Sequence, residues 1–92
     1  MANSLRGRKK VELEYPGPPG REVFVAGTFN DWDPRAKPMK PDVDGGYYAI
    51  LMLPKGKHEY KFIEDGHWRA DPTNAAWTCD GLGGMNSVLE VR

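Results

Sequence analysis

The chain is poor in the residues from which most enzymatic and metal chemistry is built. Its 92 residues include one cysteine, Cys79, and two histidines, His58 and His67. A single thiol cannot close an intramolecular disulfide, so a reducing compartment is the simpler expectation, and with it a cytoplasmic location. No histidine lies near Cys79 in sequence, and the thiol reads as passive rather than nucleophilic. Neither histidine stands at metal-ligand spacing from it, so no metal or other cofactor is expected. Net charge is missing too. Lys+Arg and Asp+Glu both number 13, which leaves a formal charge of zero. Nucleic acids and acidic membrane surfaces select net basic proteins, so neither is expected as a partner. No apolar run approaches membrane length, and residues 1–10 are polar and basic, without the apolar centre of a signal peptide.

Glycine and proline, by contrast, are plentiful at 11 and 8. That is the usage of short strands joined by tight turns, and a chain of this length makes one domain. The run Val11-Glu12-Leu13-Glu14-Tyr15 alternates apolar and charged residues, as a half-buried strand does. Residues 1–10 ahead of it read as a flexible basic lead-in, and 11–92 as the domain. Pro16 to Gly20 is a turn. The β-prone segment 22–28 places Val23 and Val25 on one face and Phe24 and Ala26 on the other. Pro34, Pro38 and Pro41 leave 30–46 mostly loop. The most apolar strand spans 47–53, and 54–57 makes a tight connection to a strand at 58–63, so a hairpin of these two is expected. The Glu64-Asp65-Gly66 turn, a strand from His67 stopped by Asp71-Pro72, a loop over 73–85 and a last strand at 86–91 complete the chain. The fold class is all-β: an immunoglobulin-like β-sandwich of about six to seven short antiparallel strands.

Two motifs ending in tryptophan carry the functional signal: Gly27-Thr28-Phe29-Asn30-Asp31-Trp32 and Tyr60-Lys61-Phe62-Ile63-Glu64-Asp65-Gly66-His67-Trp68. Each runs from a strand into a loop bearing an indole. Two such indoles at the ends of neighbouring strands make either an aromatic platform for the C–H faces of sugar rings or ordinary packing. Strand parity puts Tyr60 and Phe62 inside and Glu59, Lys61 and Ile63 outside, so the Lys61 ammonium is a candidate donor to sugar hydroxyls or a plain surface lysine. Asn86, Thr28 and Asn30 can bond vicinal hydroxyls or their own backbone. Trp77, in the long last loop, is a third stacking residue or, the favoured reading, a plug over the sandwich edge.

Catalysis reads poorly. Asp31, Asp33, Asp42, Asp44, Asp65, Asp71 and Asp80 all sit in turn contexts where aspartate is common, and a glycosidase needs two carboxylates facing across a cleft. No catalytic residue is assigned. Asp42 to Gly46 does not continue as a calcium loop, and no helix follows Gly81-Leu82-Gly83-Gly84 to make a phosphate cradle.

From about residue 22 to 91 the chain resembles the glycogen-binding module of the AMP-activated protein kinase β subunit. It also looks like part of the wider group of starch-binding modules at the N-termini of isoamylases and branching enzymes. The matching stretches are Val25-Ala26-Gly27-Thr28-Phe29-Asn30-Asp31-Trp32, then 53–62 with Pro54-Lys55-Gly56-Lys57-His58-Glu59-Tyr60-Lys61-Phe62, then Asp65-Gly66-His67-Trp68 with Asp71-Pro72, and Leu82-Gly83-Gly84-Met85-Asn86. The resemblance implies that Trp32 and Trp68 stack on glucose rings, and that Lys61 and Asn86 bond hydroxyls. It also implies that Leu82 stands on a loop pushed into a curved oligosaccharide. The implied partner is an α-1,4-linked glucan, oligosaccharide or polysaccharide, with a kinase or glucan-metabolising enzyme as companion. Kinase-associated members carry a phosphorylated serine after the first tryptophan, whereas residues 33–46 here contain no Ser or Thr. Non-catalytic glucan binding is thus the leading expectation. The alternative is a regulatory protein-interaction domain that retains the fold, like a kinase β-subunit scaffold.

Overall fold

Alternation of side chains along short strands decides the architecture. The computed structural model describes residues 7–92. Its strands are β1 (Arg8–Tyr15), β2 (Val23–Gly27), β3 (Lys40–Pro41), β4 (Tyr47–Pro54), β5 (Gly56–Glu64), β6 (His67–Arg69), β7 (Trp77–Cys79) and β8 (Met85–Val91), with one 3-10 turn at Thr28–Asn30. They form two antiparallel sheets. One has the order β1-β4-β3; the other has the order β2-β5-β8-β7, with β6 pairing β5. The all-β sandwich expected from the sequence is what forms. Two short strands, β3 and β7, lie in segments read as loop. The first strand starts at Arg8 rather than Val11, so residues 8–10 of the expected lead-in belong to the sheet, and 1–6 lie outside the described residues.

The core is the set of inward positions from both sheets. Leu13 and Tyr15 of β1 and Tyr47, Ala49, Leu51 and Leu53 of β4 face Val23 and Val25 of β2, Tyr60 and Phe62 of β5 and Val91 of β8. Phe62 is fully buried, with the Tyr15 ring 4.9 Å and the Tyr60 ring 5.6 Å from its own. Burying a ring of that size contributes about 1.5–3 kcal/mol, and tilted ring pairs add roughly 0.5–1.5 kcal/mol. The inward tyrosines deliver their hydroxyls to partners at the rim. Tyr15 donates to Glu64 Oε1 (2.7 Å), Tyr47 to the Pro18 carbonyl (2.7 Å) and Tyr60 to Asp71 Oδ2 (2.6 Å). Among the described residues no buried side-chain polar atom lacks a partner.

One expectation is overturned: the segments 47–53 and 58–63 do not form a hairpin. β4 pairs with β1 and β3, and β5 with β2, β6 and β8, so the chain crosses between sheets at 54–56. Both strands carry their large apolar residues on one face. Packing those faces against each other across the sandwich covers them more fully than side-by-side pairing within one sheet. The corner needs Gly56, whose φ of +125° is rarely open to other residues.

The second sheet also carries apolar side chains on its outward face. On it Phe24 lies opposite Ile63 and Ala26 opposite Lys61 in the β2–β5 register. Phe24, Ala26 and Ile63 make a small second apolar cluster, separate from the core between the sheets.

Candidate functional site

Trp32 packs on that outer cluster and is half-buried there. The loop that carries it is shaped by Asn30, whose Oδ1 accepts from the Gly27 N–H (3.0 Å) while Nδ2 donates to the Val25 carbonyl (3.2 Å). The next two residues, Asp31 (φ 55°) and Trp32 (φ 58°), both adopt the left-handed conformation. For residues with a Cβ this costs about 1–3 kcal/mol each, and it persists because the Trp32 N–H bonds the Gly27 carbonyl (2.9 Å) and Trp32 packs against the cluster of Phe24, Ala26 and Ile63. Gly27 has no room for a side chain, since a Cβ would run into the Glu59 carbonyl oxygen. The strain lies where the indole is aimed.

Trp68 reaches the same face from β6. Asp65 (φ 48°) and Gly66 (φ 85°) form a two-residue turn of the kind that suits a twisted hairpin. That turn folds β6 back so that Trp68 lies opposite Ile63, with 47% of its surface exposed. Asp65 is fixed by accepting from the Glu22 N–H (2.8 Å).

The polar members stand beside the indoles, each held by a carboxylate. Lys61 Nζ donates to Asp80 Oδ2 at 2.8 Å. Asn86 Nδ2 donates to Glu59 Oε1 at 2.9 Å. Asp80 also accepts, through Oδ1, from the backbone N–H groups of Leu82 (2.7 Å) and Gly84 (3.0 Å). These bonds, led by the one from Lys61, hold its carboxyl down to about 2. Leu82 stands at the loop tip, 92% exposed.

Trp32, Trp68, Lys61, Asn86 and Leu82 thus line one open depression of about 590 Å³, together with Glu59 and Asp80. The other candidates do not line it. Asn30 is engaged with its own loop backbone, the alternative its sequence context left open. Thr28 Oγ1 accepts from the Glu59 N–H (3.2 Å). Trp77, on the edge strand β7, pairs with Ser87 and lines a separate depression with Lys57, Glu59, Thr78, Val88 and Glu90. It is 56% exposed. Asn86 is buried and bonds a neighbouring strand instead of its own backbone. Glu59 and Asp80 were missed as site residues. Glu59 shares the outward parity of Lys61 two positions on, which could have found it. Asp80 looks like any turn aspartate, because its partner Lys61 is 19 positions away.

Fold and site together define a small non-helical domain that displays an aromatic, hydrogen-bonding depression on the open face of one sheet. The family described as "Glycogen recognition site of AMP-activated protein kinase" matches residues 9–92, and the chain belongs to it. It is 41% identical over 73 residues to 5'-AMP-activated protein kinase subunit beta-2 of Mus musculus, covering 79% of this chain and 26% of that protein. To subunit beta-1 of Sus scrofa it is 38% identical over 73 residues, covering 79% of this chain and 57% of that protein. The chain therefore spans about a quarter of the length of the first of these relatives. No helix among the described residues is long and apolar enough to cross a membrane.

Proposed function

We propose that this domain binds an α-1,4-linked glucan, glycogen- or starch-like, on the outer face of the second sheet and performs no chemistry on it. The observation that carries this reading is the convergence of Trp32, Trp68, Lys61, Asn86 and Leu82, from separate loops and strands, on one open depression. Indoles supply apolar faces for sugar rings, Lys61 retains N–H donors beyond the one given to Asp80, and Asn86 retains its amide oxygen as an acceptor. Each stack contributes about 1 kcal/mol beyond area burial and each hydroxyl bond about 1 kcal/mol net. After the cost of immobilising the ligand, a micromolar to millimolar Kd results, about −4 to −8 kcal/mol.

Hydrolysis is disfavoured by the state of the carboxylates. Glycosidases need one carboxylic acid with a raised pKa, whereas Asp80, bonded by Lys61 and two backbone N–H groups, is held down to about 2. The relatives are named as subunits of a kinase, and a kinase or glucan-metabolising assembly in the cytoplasm is the setting we propose for the domain.

The test is a tryptophan-fluorescence titration with β-cyclodextrin on the wild type and on Trp68→Ala. A saturable change that the variant loses supports the reading. A flat trace from folded wild type overturns it and leaves a protein-binding role for the face.

A further inference from the structure

One side chain that no sequence motif marks joins the loop at 80–84 to Lys61. The loop is closed at its base by the Asp80 N–H on the Gly84 carbonyl (3.2 Å), and Gly81 and Gly83 take the positive φ its tight path requires. Inside it, Asp80 Oδ1 gathers the N–H groups of Leu82 and Gly84, at 2.7 and 3.0 Å. The other oxygen, Oδ2, holds the Lys61 ammonium at 2.8 Å. Both partners of this ion pair are largely covered, with side-chain exposures of 18% and 10%, so water screens it less than a surface pair.

We infer that Asp80 is a positioning residue of the glucan-binding face, which presents Leu82 and Lys61 as one rigid unit and thereby favours a curved glucan over an extended one. The inference rests on the glucan-binding reading above. Leu82 is almost wholly exposed, and apolar surface held in water gains when a ligand covers it. A curved glucan offers a concave side lined with C–H groups, into which a projecting leucine fits. An extended chain crossing the same depression gains little from the leucine. Fixing the loop beforehand removes an ordering cost from binding, and the same holds for the flexible stem of Lys61. The carboxylate thus has two separable roles. Oδ1 sets the loop and so the preference for shape, while Oδ2 sets the ammonium and so the affinity for hydroxyls on either ligand.

Two ligands with the same number of glucose units separate these roles: the ring β-cyclodextrin and the linear maltoheptaose. Titrations of wild type, Asp80→Ala and Asp80→Asn with both are read alongside amide hydrogen exchange at Leu82 and Gly84 in free protein. Asp80→Ala is expected to weaken the ring about tenfold and the linear chain by about threefold or less, so the ratio of affinities falls. The Leu82 and Gly84 amides then exchange faster. Asp80→Asn, which keeps an acceptor for those amides but loses the charge, retains the ratio and weakens both ligands alike. If Asp80→Ala perturbs folding, Gly84→Ala tests the Oδ2 role instead: an added Cβ there would lie 2.7 Å from Asp80 Oδ2, the oxygen that holds Lys61, so both ligands should weaken alike with the ratio kept, and a fallen ratio overturns the division of roles. Equal loss of both ligands in Asp80→Ala, or unchanged amide exchange, overturns the inference alone. A wild type that binds neither ligand overturns the glucan reading as well.

Discussion

Replacing Tyr60 with phenylalanine removes one oxygen from the best-connected polar cluster in the domain. That hydroxyl donates to Asp71 Oδ2 at 2.6 Å and accepts from Asn74 Nδ2 at 3.1 Å. Asp71 is 8% exposed; its Oδ1 takes the Thr73 N–H and hydroxyl, and its own N–H donates to Ser87 Oγ. Without the phenol, Asp71 Oδ2 loses its donor in a buried setting while the ring stays packed on Phe62. Leaving a buried acceptor unmatched costs about 1–3 kcal/mol, and the charge places Tyr60→Phe toward the upper half, at about 2 kcal/mol. For a domain of this size each kcal/mol lowers Tm by about 4–8 °C, so a drop of about 8–16 °C is expected in far-UV circular dichroism melts. Urea unfolding should report the same loss with an unchanged slope. Glucan affinity, measured well below the transition, should stay within about twofold, because Tyr60 faces the core and Lys61 the outer face proposed to take the glucan. A stability loss under about 0.5 kcal/mol would refute the claim that this hydroxyl is the donor Asp71 depends on.

Other outcomes follow from single contacts. Asp80 has a folded-state pKa of about 2 against an ordinary 3.8, so the folded loop favours its charged form. Its contribution is complete above about pH 4 and is lost as pH falls toward 2. Carboxyl-carbon NMR should therefore find a midpoint near 2, and a midpoint near 4 would show that Lys61 and the loop amides do not hold it in solution. Gly56→Ala meets no atom within 4 Å but must adopt φ +125°, so it should destabilise by about 1–3 kcal/mol through backbone strain alone. A neutral result in chemical denaturation would mean the corner between sheets can be built another way.

Strand faces were legible in the sequence because parity is local: Val23 and Val25 divide from Phe24 and Ala26 as read, and Tyr60 and Phe62 from Lys61 and Ile63. The two indole motifs were legible for a related reason, since each places its tryptophan a few residues beyond a strand. Sheet membership was not. The alternation of 47–53 and 58–63 says which side of each strand is apolar, but not whether the two lie side by side or face to face, and the tight connection favoured the wrong choice. β3 and β7, at two and three residues, are too short to show a period. The polar framework was hidden by distance along the chain. Glu59 meets Asn86 across 27 positions and Asp80 meets Lys61 across 19, so each looked like an ordinary polar residue in its own neighbourhood.

β5 pairs with β2, β6 and β8, and it alone supplies both the rings at the centre of the sandwich and the ammonium at its surface. The two inventories are interleaved one residue apart, so the strand is read in two frames. Inserting one residue ahead of Tyr60 would exchange the frames, turning the aromatic pair toward water and the charges toward the core. Substitutions that keep the frame remain confined to one list. Positions 59 and 61 are therefore places where the chemistry of the outer face can be rewritten while the core stays fixed, and 60 and 62 are places where the reverse holds.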